Sequence, residues 1–351
     1  MKSHKICNRS IEGSLPTRLI EIGDYGSSRS SGLKLVFSRN LDPSPKYATL
    51  SHRWGGKSSL ELSVKNENEL LQGIPDSGLC KTFRDAVHVV REMGIRYLWI
   101  DRLCIIQEGD DYADGRKESA RMRDVYWNAF LNVAATFAAD GDEGLFTEHD
   151  DPLIFTPCIV QVQTGHVDHG DHTSPAQYNT FKLRHELDRP IRIQSSLVNH
   201  GSLNRRCWVL QERFLSRRML NYCDGRLCWE CCETVGCETD PENARDIVGR
   251  STLFLKSKHG YLHIDPDAND DGRNLKVFYD HWIVIVSAYA ECSLTKPGDK
   301  LPAITGIIKD SEGLLGPNVA GLWKRWMLPQ LMWRSYGPFN RPDIYRAPTW
   351  S

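Results

Sequence analysis

Three short stretches of the sequence set side chains in a row that could do chemistry. Tyr47-Ala-Thr-Leu-Ser-His-Arg-Trp-Gly55 lines up the Ser51 hydroxyl, the His52 imidazole, the Arg53 guanidinium and the Trp54 indole. Such an arginine pairs with a phosphate through its planar fork, and such a tryptophan stacks on a flat ring. The same string also suits an ordinary turn with Trp54 packed into the core. Trp99-Ile-Asp101-Arg-Leu-Cys104-Ile-Ile-Gln107 places Asp101 just past an apolar run, with Gln107 downstream. A carboxylate at the carboxyl end of a parallel strand stands where α/β sheets hold catalytic or sugar-binding acids; it equally caps its own turn. Arg205-Arg206-Cys207-Trp208-Val209-Leu210-Gln211-Glu212-Arg213 carries Arg206, Trp208, Gln211 and Glu212 together. Arg206 and Glu212 are not helical neighbours and need not pair with each other. A half-buried helix with ordinary surface charges is the alternative.

The densest group of thiols is Cys223, Cys228, Cys231, Cys232 and Cys237. Cys228 and Cys231 have zinc-like spacing, but no second such pair accompanies them. On a strand the two would also face opposite sides. The expectation is a reduced cluster without metal. His166, His169 and His172 fall in a polar Gly- and Asp-bearing stretch that reads as a solvated loop. No phosphate-binding P-loop, G-x-G-x-x-G, H-E-x-x-H or G-x-S-x-G motif occurs, so Walker ATPase, Rossmann dehydrogenase, zinc protease and α/β-hydrolase readings lack support.

The elements that must hold these residues follow from periodicity. Leu33 to Phe37 alternates like an edge strand, and Tyr47 to Ser51 reads as a buried strand. Phe83, Ala86, Val87 and Val90 mark one face of a helix, with Thr82 as its N-cap and Gly94 at its end. A strand over Tyr97 to Ile100 delivers Asp101. A second helix is expected from Arg116 to Asn128, with Met122, Val125, Tyr126 and Ala129 inward, followed by a strand from Phe130 to Ala135. Helix–strand alternation of this kind predicts an α/β fold, a mainly parallel sheet flanked by helices with ligand-binding loops at the strand carboxyl ends. Beyond a polar insertion at about 140–200, Cys207 to Leu215 is helical. Met219–Tyr222 and Leu227–Cys232 form a β-hairpin around Asp224-Gly225. Helical patterns over Leu275, Phe278, Tyr279, Trp282, Ile285, Val286 and Tyr289, and over Leu301 to Ile308, indicate a helical C-terminal extension. The expected division is a lead-in at 1–32, a domain at 33–232 and the extension at 233–351.

The bulk composition narrows the partners. The chain has 351 residues with 44 Lys plus Arg against 45 Asp plus Glu. That balance gives no pull toward nucleic acid or an anionic membrane. No apolar run is long enough to span a bilayer. The N-terminus lacks the apolar core of a secretory signal, and 11 cysteines with no such signal fit a reducing, cytoplasmic setting.

Taken together, the three stretches resemble the heterokaryon-incompatibility (HET) domain family of fungi. The resemblance covers most of residues 46–232 in order. It runs through Thr82-Phe-Arg-Asp-Ala86, Glu118-Ser-Ala-Arg-Met-Arg-Asp-Val-Tyr126, Gly144-Leu-Phe146 and Leu203 to Arg213. His52-Arg53 stands where many relatives carry Tyr-Cys. Asp299 to Ala303, Ala320 to Trp323 and Arg346 to Ser351 are similar to segments found downstream of such domains, and the sequence breaks off within the last of these, the pattern expected of a piece of a longer protein. The resemblance implies a role in non-self recognition and programmed cell death. It also implies a distant kinship with Toll/interleukin-receptor (TIR) domains, hence a TIR-like, flavodoxin-like core. Some TIR domains cleave NAD at the nicotinamide–ribose bond with one glutamate. Carried over here, Glu118, Glu212 and Asp101 become the candidate catalytic carboxylates. Glu118 leads on topology, as a first-turn residue of the 116–128 helix. Ser51, His52, Arg53, Trp54, Gln107, Arg206, Trp208 and Gln211 become candidate nucleotide-binding residues. NAD would then be substrate, and no cofactor is expected. The alternatives are a non-enzymatic module acting through homotypic assembly, and an enzyme of secondary metabolism on the same fold.

Overall fold

The computed structural model describes residues 4–8, 14–23, 32–41, 45–55, 60–147, 158–163, 178–183, 197–238, 245–246 and 273–332. The triad of His166, His169 and His172 and the tail motif at 346–351 lie outside these residues. The strands are β1 Arg18–Glu21, β2 Lys34–Phe37, β3 Tyr47–Ser51, β4 Tyr97–Trp99, β5 Leu131–Ala134, β6 Cys158–Gln163, β7 Tyr178–Leu183, β8 Arg218–Cys223, β9 Arg226–Cys231, β10 Thr234–Cys237, β11 Arg245–Asp246, β12 Asn318–Val319 and β13 Leu322–Trp323. The helices are α1 Glu67–Gln72, α2 Lys81–Glu92, α3 Asp101–Cys104, α4 Ala113–Ser119, α5 Met122–Asn128, α6 Cys207–Leu215, α7 Arg273–Ala290, α8 Pro302–Leu315 and α9 Met327–Gln330.

Among the described residues nine strands form one sheet, ordered β11-β10-β9-β8-β5-β3-β4-β1-β2. Its centre, β4-β3-β5-β8, is parallel. Both ends are antiparallel: β1 joins β4 and β2 on one side, and β8 to β11 meander on the other. The sheet is therefore mixed, with the expected parallel arrangement confined to its middle. Every residue of β3 and β5 is buried, as expected of parallel strands covered on both faces. The chain adds β4 on one side of β3, then crosses to add β5 on the other. This reversal is a topological switch point at the carboxyl ends of β3 and β5, the place where open α/β sheets bind ligands.

Local sequence explains most elements. In α2 the residues Phe83, Ala86, Val87 and Val90 are buried at helical spacing. Gly94 adopts φ 68° at the helix end, a left-handed conformation that glycine takes without a Cβ clash. The helix begins two residues earlier than expected. Cys80 is the N-cap, while Thr82 lies buried within the first turn, its N–H donating to the Gly141 carbonyl at 2.9 Å. Gly225 supplies the positive φ in the β8–β9 turn.

Two expectations are corrected. The single helix over Arg116 to Asn128 is two helices, α4 and α5, broken at Ala120–Arg121. Glu118 therefore sits at the end of α4, not in a first turn. Residues 18–21, read as part of a lead-in, form a strand inside the sheet. Arg121 explains both features: its guanidinium donates to Thr17 Oγ1 at 2.8 Å, Ser14 Oγ at 2.8 Å and the Leu15 carbonyl at 2.6 Å.

The core is continuous across the described residues and runs from β1 to β13. It includes Trp282, Ile285, Ile304, Ile307 and Trp323 from the C-terminal helices. α6 packs against both α5 and α8. No helix of the described residues is long and apolar enough to cross a membrane.

Candidate functional site

The switch point gathers residues from five elements. Ser51 ends β3, and its register partner on β5 is Ala134. Asn132 of β5 donates from Nδ2 to Ser51 Oγ at 2.9 Å. Ser51 in turn donates to Glu212 Oε2 on α6 at 2.5 Å. The Tyr126 hydroxyl of α5 also reaches Glu212 and Ser51. The result is a buried chain, Asn132–Ser51–Glu212–Tyr126, in which Ser51 and Asn132 are wholly inaccessible and Glu212 is 6% exposed.

Burial pushes the Glu212 carboxyl up to about 7, and the nearby negative charge of Asp101 pushes the same way. Hydrogen bonds from Ser51 and Tyr126 and the charge of Arg206 oppose this only in part. Burial first, then the Glu212 charge, drives the Tyr126 phenol well above its ordinary value, so it stays a neutral donor. Glu212 is thus a carboxyl that exchanges its proton near neutrality, the property a general acid–base group needs.

Asp101 lies at the mouth of this chain. It is the first residue of α3, directly after β4. Its Oδ2 accepts from Trp54 Nε1 at 2.7 Å and its Oδ1 from its neighbour's N–H at 2.7 Å. His52 Nδ1 is 3.7 Å from Asp101 Oδ1. Burial depresses the imidazole to about 4, outweighing the opposite pull of Asp101. The contact is therefore polar and not an ion pair at neutral pH. His52 Nε2 is buried without a hydrogen-bond partner among the described residues. Arg102 fixes the Trp54 loop by donating to the Trp54 carbonyl at 2.7 Å, and its guanidinium lies 5.5 Å from the indole centroid. The loops after β3 and β4 therefore share one site.

The other sequence candidates divide. Arg206, the N-cap of α6, donates to the His52 carbonyl at 2.7 Å, tying α6 to the β3 turn. Gln107 Nε2 braces the carbonyls of Asp101 and Ile105 at 3.1 and 2.9 Å. Arg53 is half-buried in the same turn. Trp208 and Gln211 are engaged elsewhere: Trp208 Nε1 donates to Asp299 Oδ2 at 3.2 Å, and Gln211 Oε1 accepts from the Gly306 N–H at 2.7 Å. Both bind the C-terminal segment, because α8 covers that flank of α6. Glu118 is bound to the N-terminal segment, accepting from Thr17 Oγ1 at 2.5 Å and pairing with Arg121 at 3.2 Å. Tyr126 and Asn132 were not among the candidates. Asn132 carried a signal, a polar residue in the middle of an otherwise apolar buried strand. Tyr126 looked like any aromatic on a helix's inner face.

Residues 47–212 match the heterokaryon incompatibility protein (HET) family, a span that starts with β3 and ends on Glu212. A curated relative, "Heterokaryon incompatibility protein 6, OR allele" of Neurospora crassa, is 34% identical over 101 residues, which cover 27% of this chain and 15% of that protein. No solved structure gives a significant match. Over residues 47–212, just under half of its length, this chain matches the heterokaryon-incompatibility (HET) family.

Proposed function

We propose that this HET domain acts in fungal incompatibility as an NAD glycohydrolase, on a TIR-like core, with Glu212 as the working carboxylate. The observation that supports it is the buried Glu212–Ser51 pair at the switch point, with a carboxyl that titrates near neutrality. The parallel strands follow the order second, first, third, fourth, as in flavodoxin-like folds that bind nucleotides at this place. In the proposed reaction the bond from ribose C1′ to the nicotinamide nitrogen breaks, and its electron pair leaves on that nitrogen. Water adds to C1′ and releases a proton. Ionised Glu212 stabilises the oxocarbenium-like centre. Trp54 supplies a stacking face, and Arg53 pairs with the diphosphate.

A second reading, a non-enzymatic module that signals by homotypic assembly, is favoured by the near-complete burial of Glu212, which suits a structural brace. One experiment separates them: purified chain is incubated with NAD at low and high protein concentration, and nicotinamide is measured. The hydrolase gives steady release, with kcat/KM rising with pH to a plateau above about 7 as Glu212 ionises. Glu212→Gln lowers turnover by at least about a hundredfold. No release at any concentration removes the hydrolase and leaves the assembly module.

A further inference from the structure

The thiols at the end of the sheet form two groups, not one. Cys223, Cys228 and Cys237 cluster with Val198. Cys231 and Cys232 instead meet Cys7, from the opposite end of the sequence. Strand alternation causes the split, since Cys228 and Cys231 of β9 point to opposite faces.

The second group has the composition and spacing of a metal site. The donor atoms of His4, Cys7 and Cys231 all lie within 4.8 Å of one another. His4 Nδ1 is 3.5 Å from Cys231 Sγ. A tetrahedral zinc, with bonds of about 2.3 Å to sulfur and about 2.0–2.1 Å to nitrogen, requires an S···N edge of about 3.5 Å. Cys232, whose thiol is not among the three donors that lie within 4.8 Å of one another, is the candidate for a fourth after a shift of its side chain. Its thiol contacts that of Cys7, and both reach the Arg217 carbonyl, at 3.6 and 3.7 Å. The Thr234 N–H donates to Cys231 Sγ at 3.2 Å, the kind of backbone support that orients a ligating sulfur. Residues 4–8 are already docked here: the Ile6 N–H donates to Glu233 Oε1 at 2.7 Å, and Arg218 Nη2 donates to the Cys7 carbonyl at 2.7 Å.

We infer that His4, Cys7, Cys231 and Cys232 form a structural zinc site that fastens the N-terminal segment to the β9–β10 turn. Binding replaces three thiol protons by one Zn²⁺, leaving three thiolates and a neutral imidazole with net charge −1. The guanidiniums of Arg217 and Arg218 lie beside that charge. The expectation of a metal-free cluster weighed Cys228–Cys231 without Cys7 or His4, which topology alone brings to the site.

The test uses the full chain purified without chelators. Elemental analysis should give one zinc per chain, and Co²⁺ added to stripped, reduced protein should develop the thiolate-to-cobalt absorption of a tetrahedral site. Cys7→Ser together with Cys231→Ser should abolish both signals, while Cys223→Ser together with Cys237→Ser keeps both. If the first pair fails to fold, the cobalt titration of the unaltered chain decides alone. Absence of zinc together with absence of the cobalt–thiolate band overturns the inference. So does a Cys7–Cys231 disulfide in protein isolated under reducing conditions.

Discussion

Replacing Glu212 by Gln should change how stability depends on pH, by an amount the structure sets. The Glu212 carboxyl rises from 4.5 to about 7 on folding. A raised carboxyl contributes stability fully below its unfolded value, and that stability is lost as pH climbs through the folded one. At 1.36 kcal/mol per unit, the loss is about 3 kcal/mol. His52 works the other way. Its imidazole falls from 6.5 to about 4 because it is buried, so it costs stability in acid and the cost disappears as pH rises to about 6.5, again about 3 kcal/mol. Between about pH 4.5 and 6.5 the two slopes cancel, and these groups leave the wild-type profile flat. Gln keeps the shape and the oxygen that accepts from Ser51 but cannot ionise. The variant therefore follows the His52 slope alone, and its stability relative to wild type should grow by about 3 kcal/mol from about pH 4.5 to 7.5. Urea unfolding of both proteins across that range measures it. A difference that stays constant with pH refutes the assignment of a near-neutral titration to Glu212.

Two further outcomes follow from contacts remote from the switch point. Arg121→Ala leaves Glu118, which is 1% exposed, without its cationic partner and releases Ser14, Leu15 and Thr17. It should cost about 3 kcal/mol and speed hydrogen exchange in β1, and unchanged exchange there would contradict the role given to Arg121. Gly306→Ala places a Cβ 2.7 Å from Gln211 Oε1 and 3.1 Å from Leu215 Cδ1. It should destabilise by about 1–3 kcal/mol, with part of the loss recovered in the double variant carrying Gln211→Ala. Strict additivity in that cycle would show that the two residues do not meet.

The sequence made some of this legible and not the rest, for identifiable reasons. β3, α2, α6 and the β8–β9 hairpin follow local rules: apolar runs, helical spacing and a glycine turn. The break between α4 and α5 was invisible because no Gly or Pro within residues 116–128 marks it. Its cause is a set of bonds to residues 14–17, a hundred positions away. Glu118 and Glu212 looked alike as helical glutamates; only the packing of α4 against the N-terminal segment, and of α6 against β3, separates them. Trp208 and Gln211 seemed to belong with Glu212, yet α8 claims their flank of the helix. Among the thiols, the parting of Cys228 from Cys231 by the strand pleat was legible, whereas the approach of Cys7 to Cys231 was not, because it joins segments far apart in sequence.

The docking of residues 4–8 also bears on how the chain is made. The Ile6 to Glu233 hydrogen bond spans 227 positions. During synthesis residues 4–8 can complete their contacts only when the β9–β10 turn has followed. At about 5–20 residues per second, that interval is on the order of ten to fifty seconds. β1 faces a shorter wait, for β4, and β5 waits for β8 to cover its free edge. Assembly of the sheet is therefore paced by translation, and residues 4–8 dock long after they are made.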